Sequence, residues 1–278
     1  MRIRAAMVLT VVITASALIL GGCGESKAAK EARLKGIEQV KNEDYASAVE
    51  SFDLALKEAD GVVNAFELDI LKYRGEAEFM LEDYEAAAHT YGILADVDGK
   101  EPEYLYYKAA SEAMAGNPDT AVEDYAKAAE AAKDRKEAPA GAAVAVSSIA
   151  DAYRTAGNYD GAVGFCSQAI ESGISGPEIY NQMGLCMMAA ERFDEAVSYF
   201  EQGIALGDGE QVQQMMYNMG AVYEKRGDFG KALETFRNYV SKYGSTPELE
   251  KEIAFLESRQ GKRDILHGSG LQEVAWRN

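Results

Sequence analysis

The sequence predicts an all-α fold of about six helical hairpins in series, and three observations carry that reading. One short string keeps returning. Glu43-Asp44-Tyr45-Ala46-Ser47-Ala48-Val49 recurs as Glu82-Asp83-Tyr84-Glu85-Ala86-Ala87-Ala88, Gly157-Asn158-Tyr159-Asp160-Gly161-Ala162-Val163, Glu191-Arg192-Phe193-Asp194-Glu195-Ala196-Val197 and Gly227-Asp228-Phe229-Gly230-Lys231-Ala232-Leu233. A sixth copy, Gly116-Asn117-Pro118-Asp119-Thr120-Ala121-Val122, has Pro in place of the aromatic residue. The alanines at 48, 87, 121, 162, 196 and 232 are spaced by 39, 34, 41, 34 and 36 residues, the mark of a repeat array. Each alanine also keeps fixed company. Twelve residues before it stands a small residue, and four after it a large one in five of the six copies. Finally, the prolines fall at the starts of segments or in breaks between them and not inside a helix.

The elements follow in order. The chain opens on a basic Met1-Arg2-Ile3-Arg4, then sixteen uncharged residues, 5–20, then Leu20-Gly21-Gly22-Cys23 and the polar Gly24-Glu25-Ser26-Lys27. The apolar run suits a signal segment and is short for crossing a hydrocarbon core of about 30 Å. With an aliphatic residue, two small ones and then Cys, the stretch resembles the bacterial lipoprotein signal. The resemblance implies that residues 1–22 are a cleaved signal peptide and that Cys23 is lipidated and becomes the new N-terminus. Residues 23–30 are then a tether, and the lipid bilayer is a partner through acylated Cys23. The expected location is the extracytoplasmic face of a bacterial membrane, at the cell surface or the periplasmic side. More than one acyl chain gives stable anchoring where a single chain is marginal.

Residues 31–246 are the array. The small residues twelve before each alanine are Gly36, Gly75, Ala109, Ala150, Gly184 and Gly220. The residues four after are Phe52, Tyr91, Tyr125, Cys166, Phe200 and Phe236. Seven after come Ala55, Leu94, Ala128, Ala169, Gly203 and Tyr239. Offsets of 4 and 7 share one helical face, and small residues on both helices of a hairpin let the backbones approach. In period and in these positions the segment resembles the tetratricopeptide repeat, which implies a right-handed superhelical solenoid. Pro102, Pro177 and Pro247 sit where first helices should begin, with Thr246 a ready N-cap. Pro118 reads as a turn residue, and Pro139 lies in the break of the longest spacing. Residues 247–260 read as an amphipathic capping helix with Ile253 and Leu256 on one face and Leu249 and Phe255 at its edges. Residues 261–278 form a C-terminal tail whose Trp276 either docks on the array or hangs free.

Composition narrows the function. A net charge of −18 argues against nucleic acid, which needs a basic surface. Loss of the leader removes two arginines and no acid, leaving −20. His89 and His267 are the only histidines, and no HExxH, P-loop, GxSxG or CxxC string follows the leader. His89 reads as a solvated residue of a second helix. Cys166 and Cys186 read as buried thiols, with a disulfide open as the alternative. No catalytic residues, metal site or cofactor are expected, and the protein does not read as an enzyme.

The family resemblance implies that an inner groove is lined from the first helix of each hairpin. Carried onto this chain, it gives Lys72, Glu76, Phe79 and Met80, then Glu103, Tyr106 and Met114, then Asp151 and Arg154. Asn181 and Met188 follow in the fifth repeat, and Tyr217 and Glu224 in the sixth. Aromatics and methionines among carboxylates suit a protein or peptide partner. The groove is too acidic to resemble the two-carboxylate clamp of chaperone-binding members. The expected function is a membrane-anchored interaction scaffold or adaptor, with a peptide- or glycan-binding lipoprotein of the cell envelope as the alternative.

Overall fold

The computed structural model describes residues 25–59, 63–99 and 101–268. Cys23 and Trp276, and with them lipidation and tail docking, lie outside the described residues. Among the described residues there are thirteen α-helices and no strand. The chain divides into two compact units, one ending at Ser175 and one beginning at Gly176.

The first unit holds four hairpins. They are α1 (Lys27–Lys41) with α2 (Tyr45–Lys57), α3 (Ala65–Met80) with α4 (Tyr84–Val97), α5 (Pro102–Met114) with α6 (Pro118–Ala132), and α7 (Ala142–Thr155) with α8 (Tyr159–Glu171). The second unit holds two hairpins and one more helix. These are α9 (Pro177–Ala189) with α10 (Phe193–Ile204), α11 (Glu210–Lys225) with α12 (Phe229–Tyr243), and α13 (Pro247–Gly268).

All six hairpin turns are built alike. The residue five before the signature alanine takes a positive φ, between 57° and 87°, at Glu43, Glu82, Gly116, Gly157, Glu191 and Gly227. The N–H of the next residue donates to the carbonyl five positions back, as in Asp44 to Gln39 at 2.9 Å and Arg192 to Met187 at 2.8 Å. That closure satisfies carbonyls which the ending helix would otherwise orphan. The donating residue then opens the second helix. The side chains of Asp44, Asp83, Asn158 and Asp228 accept the N–H three residues on, at 3.1–3.5 Å. In the other two turns Asn117 donates instead to Glu112 (3.0 Å), and Arg192 pairs with Glu195 (2.7 Å). Pro118 is not in the turn proper. It is the first residue of α6, the place held by Tyr45, Tyr84 and Phe193 in other copies. A fixed φ suits that position, and its N–H would have lacked an intrahelical partner anyway.

Packing follows the repeat. Ala48, Ala87, Ala121, Ala162, Ala196 and Ala232 are all fully buried. A Cβ added to Gly36, Gly75, Gly184 or Gly220 would fall within 3.0 Å of the ring of Phe52, Tyr91, Phe200 or Phe236, sixteen residues on. Each ring therefore rests on the bare backbone of the facing helix. Ala109 and Ala150 replace glycine in the third and fourth hairpins, and both are fully buried. Their partner positions hold the half-buried Tyr125 and the short Cys166.

Two boundaries differ from the sequence reading. Helix α1 begins at Lys27, inside the stretch expected as a tether, because the Ser26 hydroxyl caps it by accepting the Ala29 N–H at 2.9 Å. Helix α13 continues past 260 to Gly268, since one interior glycine costs a helix only about 1 kcal/mol. Thr246 caps α13 as expected, its hydroxyl accepting the Leu249 N–H at 3.2 Å. Leu249 and Leu256 are buried, while Phe255 is exposed beneath the guanidinium of Arg259, 5.1 Å from the ring centroid. Cys166 and Cys186 are both buried, as thiols and not as a disulfide.

Candidate functional site

The helices that open successive hairpins touch one another: α1 meets α3 and α5 meets α7 in the first unit, and α9 meets α11 in the second. Their shared face is where the sequence places a groove. The structure sorts the thirteen expected groove residues into buried, paired and open ones.

Three do not offer surface. Phe79 and Tyr106 are buried because each closes its own hairpin. Phe79 meets Tyr84 edge-on at 5.2 Å, and Tyr106 meets Tyr125 at 5.5 Å. Asn181 is buried with its amide donating to Gln211 Oε1 at 2.9 Å. These three serve packing, which corrects their assignment to a free groove. Asp151 and Arg154 are half-buried and pair with each other, Nε to Oδ1 at 3.1 Å. Met80, Met114 and Met188 are half-buried, and Tyr217 is exposed, its ring against Phe236 and Tyr239 at 5.5 and 6.0 Å.

The wall formed by α3 and α5 carries several charges. Arg33 of α1 reaches Asp69 of α3, Nε to Oδ2 at 2.6 Å. One turn on, Lys72 extends its ammonium over the ring of Tyr104, 5.4 Å from the centroid. Burial pulls the Lys72 ammonium down, but the Tyr104 hydroxyl with the charges of Glu103 and Asp69 leaves it above its ordinary value. Glu103 is raised by burial and by Glu101, against the pull of Lys72 and Arg135. On the far side of α3, Arg74 is tied to Asp53 (2.8 Å) and to the buried Glu78 (2.9 Å), and Thr90 bridges the same pair.

Glu76 stands apart. It is half-buried, and burial alone lifts its carboxyl from 4.5 to about 7. Its charge acts on the hydroxyls of Tyr45, Tyr73, Tyr91 and Tyr107. Among the described residues it makes no hydrogen bond or ion pair. In the second unit, Glu224 is raised by burial and then by the charge and hydrogen bond of Glu252 on α13.

The sequence reading overlooked Asp69, Tyr104 and Tyr107. Asp69 was within reach, because it occupies in α3 the repeat position that Glu103 occupies in α5. The tyrosines were not, because their part depends on which way Lys72 bends.

A separate cleft of about 450 Å³ lies between α4 and α5, walled by Glu85, His89 and Asp96 of α4 and by Lys108 and Glu112 of α5. His89 is exposed there, as expected, and Lys108 is committed to the buried Asp124 at 2.8 Å. Among the described residues no group of three or more His, Cys, Asp or Glu side chains is placed to hold a metal ion, and no helix is long and apolar enough to cross a membrane.

Comparison with known proteins places this architecture. The family described as "Tetratricopeptide repeat" matches residues 33–92, 74–137 and 187–247, together more than half of the chain. Tetratricopeptide repeat protein 8 of Caenorhabditis elegans is 26% identical over 179 residues, 64% of this chain and 34% of that protein. The chain thus spans about a third of the length of that relative. A crystallised tetratricopeptide repeat protein from Parabacteroides merdae ATCC 43184 is 16% identical, with 87% of this chain and 88% of that one covered at a TM-score of 0.53. PilW, described as a widely conserved type IV pilus biogenesis factor, is 14% identical, with 82% and 99% covered at a TM-score of 0.58. These two structural likenesses speak for the fold alone. The matched segments leave out 138–186, the stretch where Ala150 and Cys166 replace the glycine and its ring. With its turns, its alanines and its glycine–ring contacts in register across the rest, this chain belongs to the tetratricopeptide repeat family.

Proposed function

We propose that this protein is a membrane-anchored scaffold that binds a protein or peptide partner at the extracytoplasmic face of a bacterial membrane. The observation that carries the binding reading is the inner face of α3 and α5. There half-buried Lys72, Glu76, Met80, Glu103 and Met114 are held by six-fold repeated hairpin packing. A surface fixed in advance loses little freedom on binding, and methionines adapt to a partner's shape. Anchoring is supported by the sequence Leu20-Gly21-Gly22-Cys23 at the end of an apolar run. With a net charge of −18 an anionic bilayer would repel the body, so lipid and not a basic patch would hold it. No catalytic step belongs to this reading.

Two experiments test it. In-cell crosslinking of the full-length protein should recover a protein partner that is lost when Met80 and Met114 are both changed to Glu. Recovery of no protein, with thermal stabilisation by an envelope peptide or glycan instead, would overturn the scaffold reading in favour of ligand capture. Cys23→Ser should abolish incorporation of labelled fatty acid, and a variant that still incorporates it would remove the anchor.

A further inference from the structure

We infer that the inner face of the first unit recognises a lysine or arginine side chain of its partner polypeptide, which seats against Glu76. The inference rests on the scaffold reading and names the chemistry the scaffold selects. It begins from an imbalance of charge. Among the described residues, the cations beside this wall are already engaged. Arg33 holds Asp69, Arg74 holds Asp53 and Glu78, and Lys72 lies over Tyr104. Lys72 is the telling case. It stands four residues before Glu76 on the same helix, a spacing at which a Lys–Glu pair readily forms. Instead it leans toward the next hairpin and leaves Glu76 without a counter-ion among the described residues.

The surroundings of Glu76 suit a cation. Tyr45 comes from α2, Tyr73 from its own helix, Tyr91 from α4 and Tyr107 from α5, and all four hydroxyls feel its charge. Tyr91 and Tyr107 stack on each other at 5.2 Å and are buried, so they back the wall rigidly, while Tyr45 and Tyr73 are half-buried. A carboxylate partly removed from water attracts an ammonium or guanidinium more strongly than one in open solvent. Desolvation is already suffered in the free protein, so an arriving cation restores the pairing that Glu76 lacks.

The test is a selection from a phage-displayed library of random 12-residue peptides, run in parallel on the full-length chain, Glu76→Gln and Glu76→Lys. The wild type should enrich peptides with Lys or Arg at one fixed position. Glu76→Gln should lose that preference while keeping the apolar positions, and Glu76→Lys should exchange it for Asp or Glu. A peptide selected on the wild type should bind Glu76→Gln at least about tenfold more weakly, and Glu85→Gln, on α4 in the separate cleft, equally well. Enriched peptides with no fixed basic position would overturn the inference and leave the scaffold standing. Enrichment of nothing by any of the three proteins would overturn both. Wild-type dimers on sedimentation that dissociate in Glu76→Gln would assign the face to a second copy of the chain and overturn the partner named here.

Discussion

Six turn residues share one left-handed backbone conformation, yet only three of them are glycine. Glu43, Glu82 and Glu191 adopt it with a side chain in place, at φ of 59°, 63° and 57°. For an L-residue that conformation costs about 1–2 kcal/mol, while glycine in its place adds unfolded-state entropy worth about 0.5–1 kcal/mol. Glu82→Gly should therefore stabilise the protein by about 0.5–1 kcal/mol, read as a higher urea midpoint at unchanged slope. Glu76 gives a second expectation. Its carboxyl is held at about 7 in the folded chain against 4.5 ordinarily, so between those values the folded state holds the extra proton. Its contribution to stability is then complete below pH 4.5 and is lost as the pH rises through 7. Glu76→Gln removes this term. It should raise the melting temperature at pH 8 by several degrees and leave it nearly unchanged at pH 4. The special position of Glu76 could not be read from the sequence, where its spacing from Lys72 reads as an ordinary ion pair. Only the ring of Tyr104, on another hairpin, shows why that pair fails to form.

The hairpin is the element that the sequence displays most openly, because its close approach forces small residues at fixed offsets. Gly184 and Ala196 belong to opposite helices of one hairpin. Ala196 is fully buried, and Phe200 presses on the backbone of Gly184. Replacing Ala196 by Leu should overpack this crossing and cost about 1–3 kcal/mol. An unmoved melting curve would mean that the hairpin has slack its geometry denies. Other features of the elements were less open. Pro118 looked like a turn residue because proline is common there, and it proved to be the first residue of α6. Phe79 and Tyr106 looked like groove residues because their repeat positions can face either way. Tyr84 and Tyr125 draw them inward. An aromatic partner supplied from across the turn decides such a position, and periodicity along one helix does not report it.

At the scale of the whole molecule, charge is the dominant quantity. Twenty-eight basic residues face forty-six acidic ones. Exposed ion pairs contribute about 0–1 kcal/mol each, whereas the net repulsion acts between all the like charges. Raising salt from about 10 mM to about 150 mM shortens the screening length from roughly 30 to 8 Å. The melting temperature should rise by a few degrees over that range, and a fall would mean that pairs such as Arg33–Asp69 outweigh the repulsion. The number of hairpins was legible from the returning string. The division at Ser175 and Gly176 was not, since the alanines on either side of it, Ala162 and Ala196, keep an ordinary spacing of 34.

The four glycines that carry an aromatic ring on their backbone have a spectroscopic consequence. Each has an α-hydrogen where other residues carry Cβ, and at Gly36, Gly75, Gly184 and Gly220 that hydrogen lies against Phe52, Tyr91, Phe200 and Phe236. The circulating π electrons of the ring displace its proton resonance from the crowded glycine region. Four isolated NMR signals would then act as local reporters, each vanishing when its own hairpin opens. During thermal or urea unfolding they would show whether the hairpins of one unit open together or one at a time.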